Sequence, residues 1–460
     1  MGDEEAGRAV MHRLSIFRAA RVIAAIGMLA QPLGPAAAQD RPAGDDPAPA
    51  AASATTITLD EAIRQAIARD PEHAAAAAAV SSARADLLEA RGSWLPTLTL
   101  SSGYANSGDE RVDQATGRLV SESYTAQAAA GLLLFAGGRR IFAQQATAAD
   151  LAGFEAEHRA RRFQTILNTT EIFYETAAAA DLERLSRQRL ERARKQLDFA
   201  RARLDLGTAT TSDVLRAELE VGNAELAVLD AGLDLRTAAL SLGRQIGVAE
   251  EVHPVAGVLP ERAPDLPALD VLVDRALAGA PDVIAAEAAR RARDRDRLRR
   301  YTTYLPSLYL SGGYDWTAFD FPPDRRSWSL RLTASLPILD GFARKAAVQR
   351  AAASLRLAEA RMRDAAIAAR VEVEDAVGRI ESAEIRVGIA DRAVRLADED
   401  LRVLEERYQL GAATILDLQA SQVALTDAEA AAVRARQDLG AAVARLEAIL
   451  GETIDMGDRD

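Results

Sequence analysis

The chain has no cysteine. That excludes disulfides, thiol chemistry, thiolate-held metals and lipid attachment through such a residue. Histidine is nearly as scarce: His12, His73, His158 and His253 are scattered along the chain and form no ligand pair. Aromatic residues make up only 5%, too few for a broad aromatic core, and the abundant alanine suits closely packed helices instead. There is no basic excess. The net charge of −12 argues against a nucleic-acid partner, whose phosphates require a basic stripe. Beyond the N-terminal region no apolar run reaches the roughly 20 residues of a membrane-crossing helix. No nucleophile–base pair, metal cluster or phosphate-binding glycine loop is legible. No catalytic, metal or cofactor-binding residue is therefore assigned, and an enzyme finds no support.

What is present is repetition. Trp94-Leu95-Pro96-Thr97-Leu98-Thr99-Leu100-Ser101-Ser102-Gly103-Tyr104 returns 210 positions later as Tyr304-Leu305-Pro306-Ser307-Leu308-Tyr309-Leu310-Ser311-Gly312-Gly313-Tyr314. Downstream the offset is 204: Gly137 matches Gly341, Leu206-Gly207 matches Leu410-Gly411, Asp213 matches Asp417 and Gly247 matches Gly451. The six missing residues lie between Tyr314 and Gly341, as expected of a surface loop. A period this long marks a duplicated half rather than a solenoid unit.

The N-terminus reads as an export signal over residues 1–38, with Arg13, Arg18 and Arg21, an apolar run from Val22 to Ala30, and Ala36-Ala37-Ala38 before the cut. The start is Met1 or Met11. Residues 39–57 read as a flexible lead-in. Repeat 1 then covers 58–251, a Pro- and Ala-rich bridge 252–268, repeat 2 269–451 and a tail 452–460.

Each repeat opens with a helix, 59–92 (broken near Pro71) or 269–300. The period then changes from helical to two. Strands are expected over about 94–105 and 122–135, and over 304–315 and 327–338, each about ten residues, the length of a tilted membrane strand. Trp328, Leu330, Leu332, Ala334 and Leu336 face one way, and Ser329, Arg331, Thr333 and Ser335 the other. Tyr104, Tyr124, Tyr314 and Trp328 sit at strand ends, where an aromatic girdle would lie. An antiparallel sheet lying on a soluble core shows the same alternation. After each strand pair comes a Gly turn and a proline-free stretch, 139–206 or 344–410, about 100 Å of helix. Leu190, Leu197 and Leu204, with Ala193 and Ala200 between, and Val394, Leu401 and Tyr408, with Ala397 and Leu404 between, recur at heptad spacing. Each long helix ends at Leu-Gly and restarts after Thr, with tips at about 206–213 and 410–417, then returns over 208–246 or 412–450.

Four strands do not close a membrane barrel, and open edges are not tolerated in lipid. Strands lying in lipid must therefore be shared among several chains. Two chains would give a filled eight-stranded barrel and three a twelve-stranded one wide enough for water.

At this point the chain resembles the TolC-type outer-membrane factors over essentially all of 58–451. The resemblance rests on both x-Leu-Pro-x-Leu-x-Leu segments, both Gly-x-x-Arg turns and both Leu-Gly-x-x-Thr-x-x-Asp tips. It implies a mainly α fold with a transmembrane β portion, a duplicated helix–strand–strand–helix repeat whose homotrimer forms a twelve-stranded barrel in outer-membrane lipid and a periplasmic α-helical coiled-coil tube. It implies a passive exit duct of a tripartite efflux pump or type I secretion system. It further implies that a periplasmic adaptor docks on Leu206, Gly207, Thr208, Leu410, Gly411 and Ala412, and that an inner-membrane transporter supplies the energy. Turn chemistry alone also accounts for these tip residues. Asp213 and Asp417 match aspartates that narrow the periplasmic mouth, or each caps its own helix. Tyr408 matches a tyrosine tied to the Asp213 position. The latch arginine and a second aperture aspartate of the resemblance align with Ala413 and Ala420. A soluble periplasmic coiled-coil adaptor or scaffold is the alternative; it fits the helical hairpins and fits the alternating strands poorly.

Overall fold

The computed structural model describes residues 55–112, 119–319 and 321–454. The expected signal peptide, residues 39–54 of the lead-in and the last six of the tail lie outside the described residues. The chain divides into a sheet unit, Trp94–Ala136 with Pro306–Leu336, and a helical unit holding the remainder of the described chain.

The helical unit starts with β1 (Thr55–Ile57), which pairs in parallel with β4 (Val252–Pro254). The end of the expected lead-in and the start of the bridge are thus a small sheet. Its Ile57 and Val252 are buried with Phe173 and Leu242 in one core, and that burial orders them. Helix α1 (Leu59–Arg69) ends at Asp70, whose side chain caps α2 (Pro71–Gly92) by accepting from the Glu72 N–H at 2.9 Å. Pro71 lacks the N–H that a continuing helix would need and suits the first helical position.

Helix α3 (Arg139–Asp205) and its copy α7 (Ala343–Gln409) have 67 residues each. They are followed by α4 (Thr211–Gln245) and α8 (Ile415–Leu450). The returning helices begin three residues later than expected, because the intervening residues form the tip turn. Helices α5 (Leu269–Gly279) and α6 (Pro281–Tyr301) repeat the proline break of α1 and α2.

Two cores are copies of one another. Ala66 and Leu242 pack in the first, and their counterparts Ala276 and Leu446 in the second. A third cluster joins both tips through Leu197, Ala200, Val214, Leu401, Tyr408 and Leu418. Near the tips the helices follow one another in a layer: α4 packs on α3, α3 on α8 and α8 on α7. The layer therefore ends at α4 on one side and α7 on the other.

The sheet unit contains β2 (Thr97–Val112), β3 (Leu119–Phe135), β5 (Ser307–Ala318) and β6 (Arg325–Ser335), antiparallel and in that spatial order. The first pair exceeds the expected ten residues. The polar stretch after Tyr104 stays paired, with Asn106 opposite Glu122 and Val112 opposite Leu119 across a register shift. Backbone pairing continues there without an apolar face to announce it.

Candidate functional site

Directly opposed residues of antiparallel strands share a face, so the registers sort the sheet into rows. Leu132, Leu310 and Leu332 form one row. Leu98, Ala130, Gly312 and Leu330 form the next, and then Leu100, Ala128, Tyr314 and Trp328. Ser102, Ala126, Trp316 and Arg326 follow, and Tyr104 with Tyr124 and Ala318 completes the series. The opposite face carries Thr99, Ser329, Gln127, Asp315, Thr125 and Thr317. An ordinary sheet on a protein core buries its apolar side. Here Leu98, Leu100, Trp328 and Leu330 are 78, 72, 74 and 69% exposed.

The expected aromatic girdle is not at the strand ends. Tyr104 and Tyr124, with rings 5.1 Å apart, lie inside β2 and β3, because those strands continue past them. Their row closes the apolar band rather than the strands. Tyr314 and Trp328 face each other two rows away, inside the band.

The two tips are built alike. At the end of α3 the Thr208 N–H donates to the Arg203 carbonyl at 2.8 Å and the Gly207 N–H to Leu204 at 2.9 Å. At the end of α7 the Ala412 N–H donates to Arg407 at 2.7 Å and the Gly411 N–H to Tyr408 at 3.1 Å. This paired closure places the glycine in the left-handed region; φ is 74° at Gly207 and 75° at Gly411. A Cβ at Gly207 would meet nothing within 4 Å, so backbone conformation rather than space demands glycine there. Leu206 and Leu410 stand out at 78 and 85% exposure.

Asp213 and Asp417 each complete a reciprocal cap. The Asp213 carboxylate accepts from the Thr210 N–H and hydroxyl, both at 2.9 Å, while its own N–H donates to Thr210 Oγ1 at 3.2 Å. Asp417 does the same with Thr414 at 3.0, 2.7 and 3.2 Å. These bonds favour the charged form. The Thr210 backbone bond holds the Asp213 carboxyl below its ordinary range, and the Thr414 hydroxyl bond does so for Asp417. In both aspartates the capping bonds use one carboxylate oxygen, Oδ2.

Tyr408 is buried, and that burial raises its pKa. Among the described residues it makes no hydrogen bond to Asp213. Its partner is Arg203, a residue the motifs did not single out. Arg203 Nη1 donates to the Tyr408 carbonyl at 2.7 Å, its guanidinium lies 4.9 Å from the Tyr408 ring centroid, and Nη2 donates to the Thr208 carbonyl at 3.1 Å. One side chain thus ties the first tip to the second. The available signal was Arg407, which occupies the same place before the second Leu-Gly.

A second missed feature is a seam without a partner. On α4, Leu215, Leu219, Leu226, Leu229, Leu233 and Leu240 keep coiled-coil spacing yet are 60, 66, 61, 68, 64 and 41% exposed. On α7, Ile389, Leu396 and Val403, followed by Leu410 at its C-cap, recur every seventh residue and are exposed too. These helices are the two ends of the layer. The inner seam identified from sequence is closed: Ala193, Leu197, Ala200, Leu401 and Tyr408 are buried. The histidines are not all scattered. His73 and His158 lie with ring centroids 4.6 Å apart at a tilt of 37°, and among the described residues His158 Nε2 is buried without a hydrogen-bond partner. No group of three potential metal ligands occurs among the described residues.

The sequence pattern of the outer membrane efflux protein family matches residues 62–248 and 272–452. No curated protein sequence matches the chain. Among solved structures, the outer membrane protein VceC from Vibrio cholerae aligns with a TM-score of 0.73 at 20% identity, over 86% of this chain and 96% of that one. The Campylobacter jejuni CmeC outer membrane channel aligns at 0.73 and 16% identity, over 85% of both chains. The open state of the Neisseria gonorrhoeae MtrE outer membrane channel aligns at 0.73 and 20% identity, over 86% of this chain and 89% of that one. At these identities the likeness is one of fold.

Proposed function

Because the chain belongs to the outer membrane efflux protein family, we propose that three copies form one exit duct. It is a passive conduit of a tripartite efflux pump or type I secretion system, met in the periplasm by an adaptor and driven by an inner-membrane transporter. The family is one of outer-membrane channels, and no enzymatic step is assigned to this chain.

The observation that carries the reading is a chain unfinished at its edges. The outer sides of β2 and β6 lack a strand partner among the described residues, and in hydrocarbon each unpaired backbone group costs several kcal/mol. Four strands per copy require more than one copy. A head-to-tail contact of β6 with the next β2 closes a ring, and three copies give twelve strands around a polar lumen. The five rows, apolar except at Ser102 and Arg326, extend about 27 Å along the strands. At a tilt of about 40° they stand about 20 Å tall, near the roughly 25 Å of an outward-facing apolar band. The leucine seam of α4 and the exposed stripe of α7 are left over in the same head-to-tail sense. A soluble adaptor would have no use for an exposed apolar sheet face.

In this reading the tips meet the adaptor through Leu206, Gly207, Thr208, Leu410, Gly411 and Ala412. Asp213 and Asp417, six carboxylates per trimer, line the mouth, and Tyr408 steadies it from behind. Capping and aperture roles coexist, because capping occupies only one oxygen of each carboxylate.

The test is the mass of the detergent-extracted, folded protein together with its conductance in a planar bilayer. Three chains per particle and a water-filled pore are expected. A monodisperse folded monomer would refute the duct. Gly207→Leu with Gly411→Leu should abolish export while the barrel stays in the membrane, and undiminished export would remove the docking role.

A further inference from the structure

The in-chain contact between the two tips is a template for a contact between chains. In repeat 1 the surface around Ala200, Arg203 and Ala217 is covered: Ala200 and Ala217 are 0 and 1% exposed. Arg203 reaches across to the Tyr408 carbonyl of repeat 2. Shifted by the repeat offset, the same surface in repeat 2 is Leu404, Arg407 and Ser421. There Leu404 and Arg407 line an open groove of about 510 Å³, with Asp400, Ala413 and Asp417 along its walls, while Ser421 is 4% exposed and donates to Asp400 Oδ2 at 2.6 Å. Arg407 is exposed; its guanidinium makes no hydrogen bond or ion pair among the described residues, and its charge acts on Asp417 across the groove.

The acceptor is equally unfinished. The Tyr408 carbonyl uses both lone pairs, one for the Gly411 N–H at 3.1 Å and one for Arg203 at 2.7 Å. Its counterpart, the Leu204 carbonyl, accepts from the Gly207 N–H at 2.9 Å and from no arginine among the described residues. A carbonyl has room for a second donor. One tip therefore lacks an acceptor for its arginine, and the other lacks an arginine for its acceptor. Arg407 lies on α7, at one end of the helix layer, and Leu204 on α3, beside the other end helix α4, so a further copy of the chain set against α7 would bring them together.

We propose that Arg407 clasps the Leu204 carbonyl of the adjacent copy, whose first tip fills the groove of the second. The proposal rests on the trimeric reading and adds to it the register of the seam. The clasp between chains differs from the one within a chain. Arg203 lies over an aromatic ring, whereas Arg407 meets a leucine, so the boundary contact lacks the cation–π component.

The absence of cysteine makes the test direct. Leu204→Cys combined with Arg407→Cys, in the full chain extracted as its oligomer, is treated with a short bifunctional thiol reagent. Covalent dimers and trimers should appear on a denaturing gel, and neither single variant should give them. Arg203→Cys with Tyr408→Cys should cross-link inside one chain, seen by peptide mass without any gain in chain mass. Particles of trimeric mass that give no covalent multimers at 204 and 407, while the internal pair reacts, overturn the clasp and leave the trimer standing. A monomer in detergent overturns both. Arg407→Gln gives a second readout: the temperature at which the trimer dissociates should fall, with the helix content of the separated chain unchanged. An unchanged dissociation temperature counts against the clasp.

Discussion

Lysine in place of Leu226 probes the leucine seam of α4 cleanly, because most of the side chain is uncovered within its own chain. Leu219, Leu226 and Leu233 are 66, 61 and 64% exposed. Burying a whole leucine side chain stabilises by about 1.5–3 kcal/mol, so the three-fifths still open contributes about 1–2 kcal/mol at each seam. A ring repeats the loss three times. Leu226→Lys should therefore weaken a trimer by about 3–6 kcal/mol, with desolvation of the ammonium added unless its stem lies along the seam and the charge reaches water. The isolated chain should hardly notice, since surface changes of this kind stay within about 0.5 kcal/mol. The assay is trimer dissociation in detergent across a temperature ramp, read as particle mass, with helicity recorded on the same samples. Dissociation should occur at lower temperature in Leu226→Lys and lower still with Leu233→Lys added, while Leu226→Met restores most of the loss. If the double lysine variant dissociates at the unaltered temperature, the seam has no partner and the helix layer does not close through α4.

Neutralising the mouth with Asp213→Asn and Asp417→Asn should reduce the cation preference of single channels, measured as a shift in reversal potential across a salt gradient. Unchanged selectivity would leave both residues as caps only. Both carboxyls are held below the ordinary carboxylate range, so they stay charged down to acid pH and the selectivity of the unaltered channel should be flat from about pH 5 to 8. The His73 pKa is lowered by burial and then by the charge of His158, so the folded chain prefers neutral imidazole there. Stability should hold above about pH 6.5 and decline as pH falls below it; His158→Gln should flatten that decline in a pH series of thermal melts, and an unaltered slope would refute the pairing. A Cβ at Gly440 would fall 2.5 Å from the buried Tyr174 ring. Overpacking of about 1–3 kcal/mol should there outweigh the helix-propensity gain of about 1 kcal/mol. Gly440→Ala should accordingly melt earlier, whereas Gly388→Ala, with nothing within 4 Å, should not.

What was legible in the sequence is what single residues impose. Gly207 and Gly411 require a left-handed backbone, Thr210 and Thr414 reopen helices, and Pro71 and Pro281 start them. Local rules place these wherever they occur, and the repeat shows each twice. Strand length was not legible, because beyond Tyr104 the pairing of Asn106 with Glu122 is carried by backbone groups that composition does not display. The girdle position depends on the same point: Tyr104 and Tyr124 bound the apolar band, and the paired strands run on past it. Arg203 escaped notice because an arginine in the last turn of a helix already has an ordinary explanation in the helix dipole. Its reach to Tyr408 depends on how two repeats pack. His73 and His158 escaped for the same reason, being brought together by α2 lying on α3.

The duplication has a mechanical consequence for the mouth. A ring of three chains has six tips, and its six contacts alternate between those within a chain and those between chains. The former carry Arg203 over the Tyr408 ring with Phe199 5.9 Å from it. The latter, on the proposed clasp, carry Arg407 against Leu204, and the place of Phe199 is taken by Val403. Half the contacts thus keep an aromatic and cationic component that the other half lack, worth about 0.5–1 kcal/mol where solvent reaches it. A mouth held this way parts at the chain boundaries first, each chain moving as a pair of tips. Replacing Leu204 by Tyr would lend the boundary the ring that the interior already has. Leu204→Tyr should then lower the open-channel occupancy recorded in a bilayer. If Leu204→Tyr in the Arg407→Gln background lowers it equally, the added ring acts without the arginine and the alternation of strong and weak contacts is not what holds the mouth.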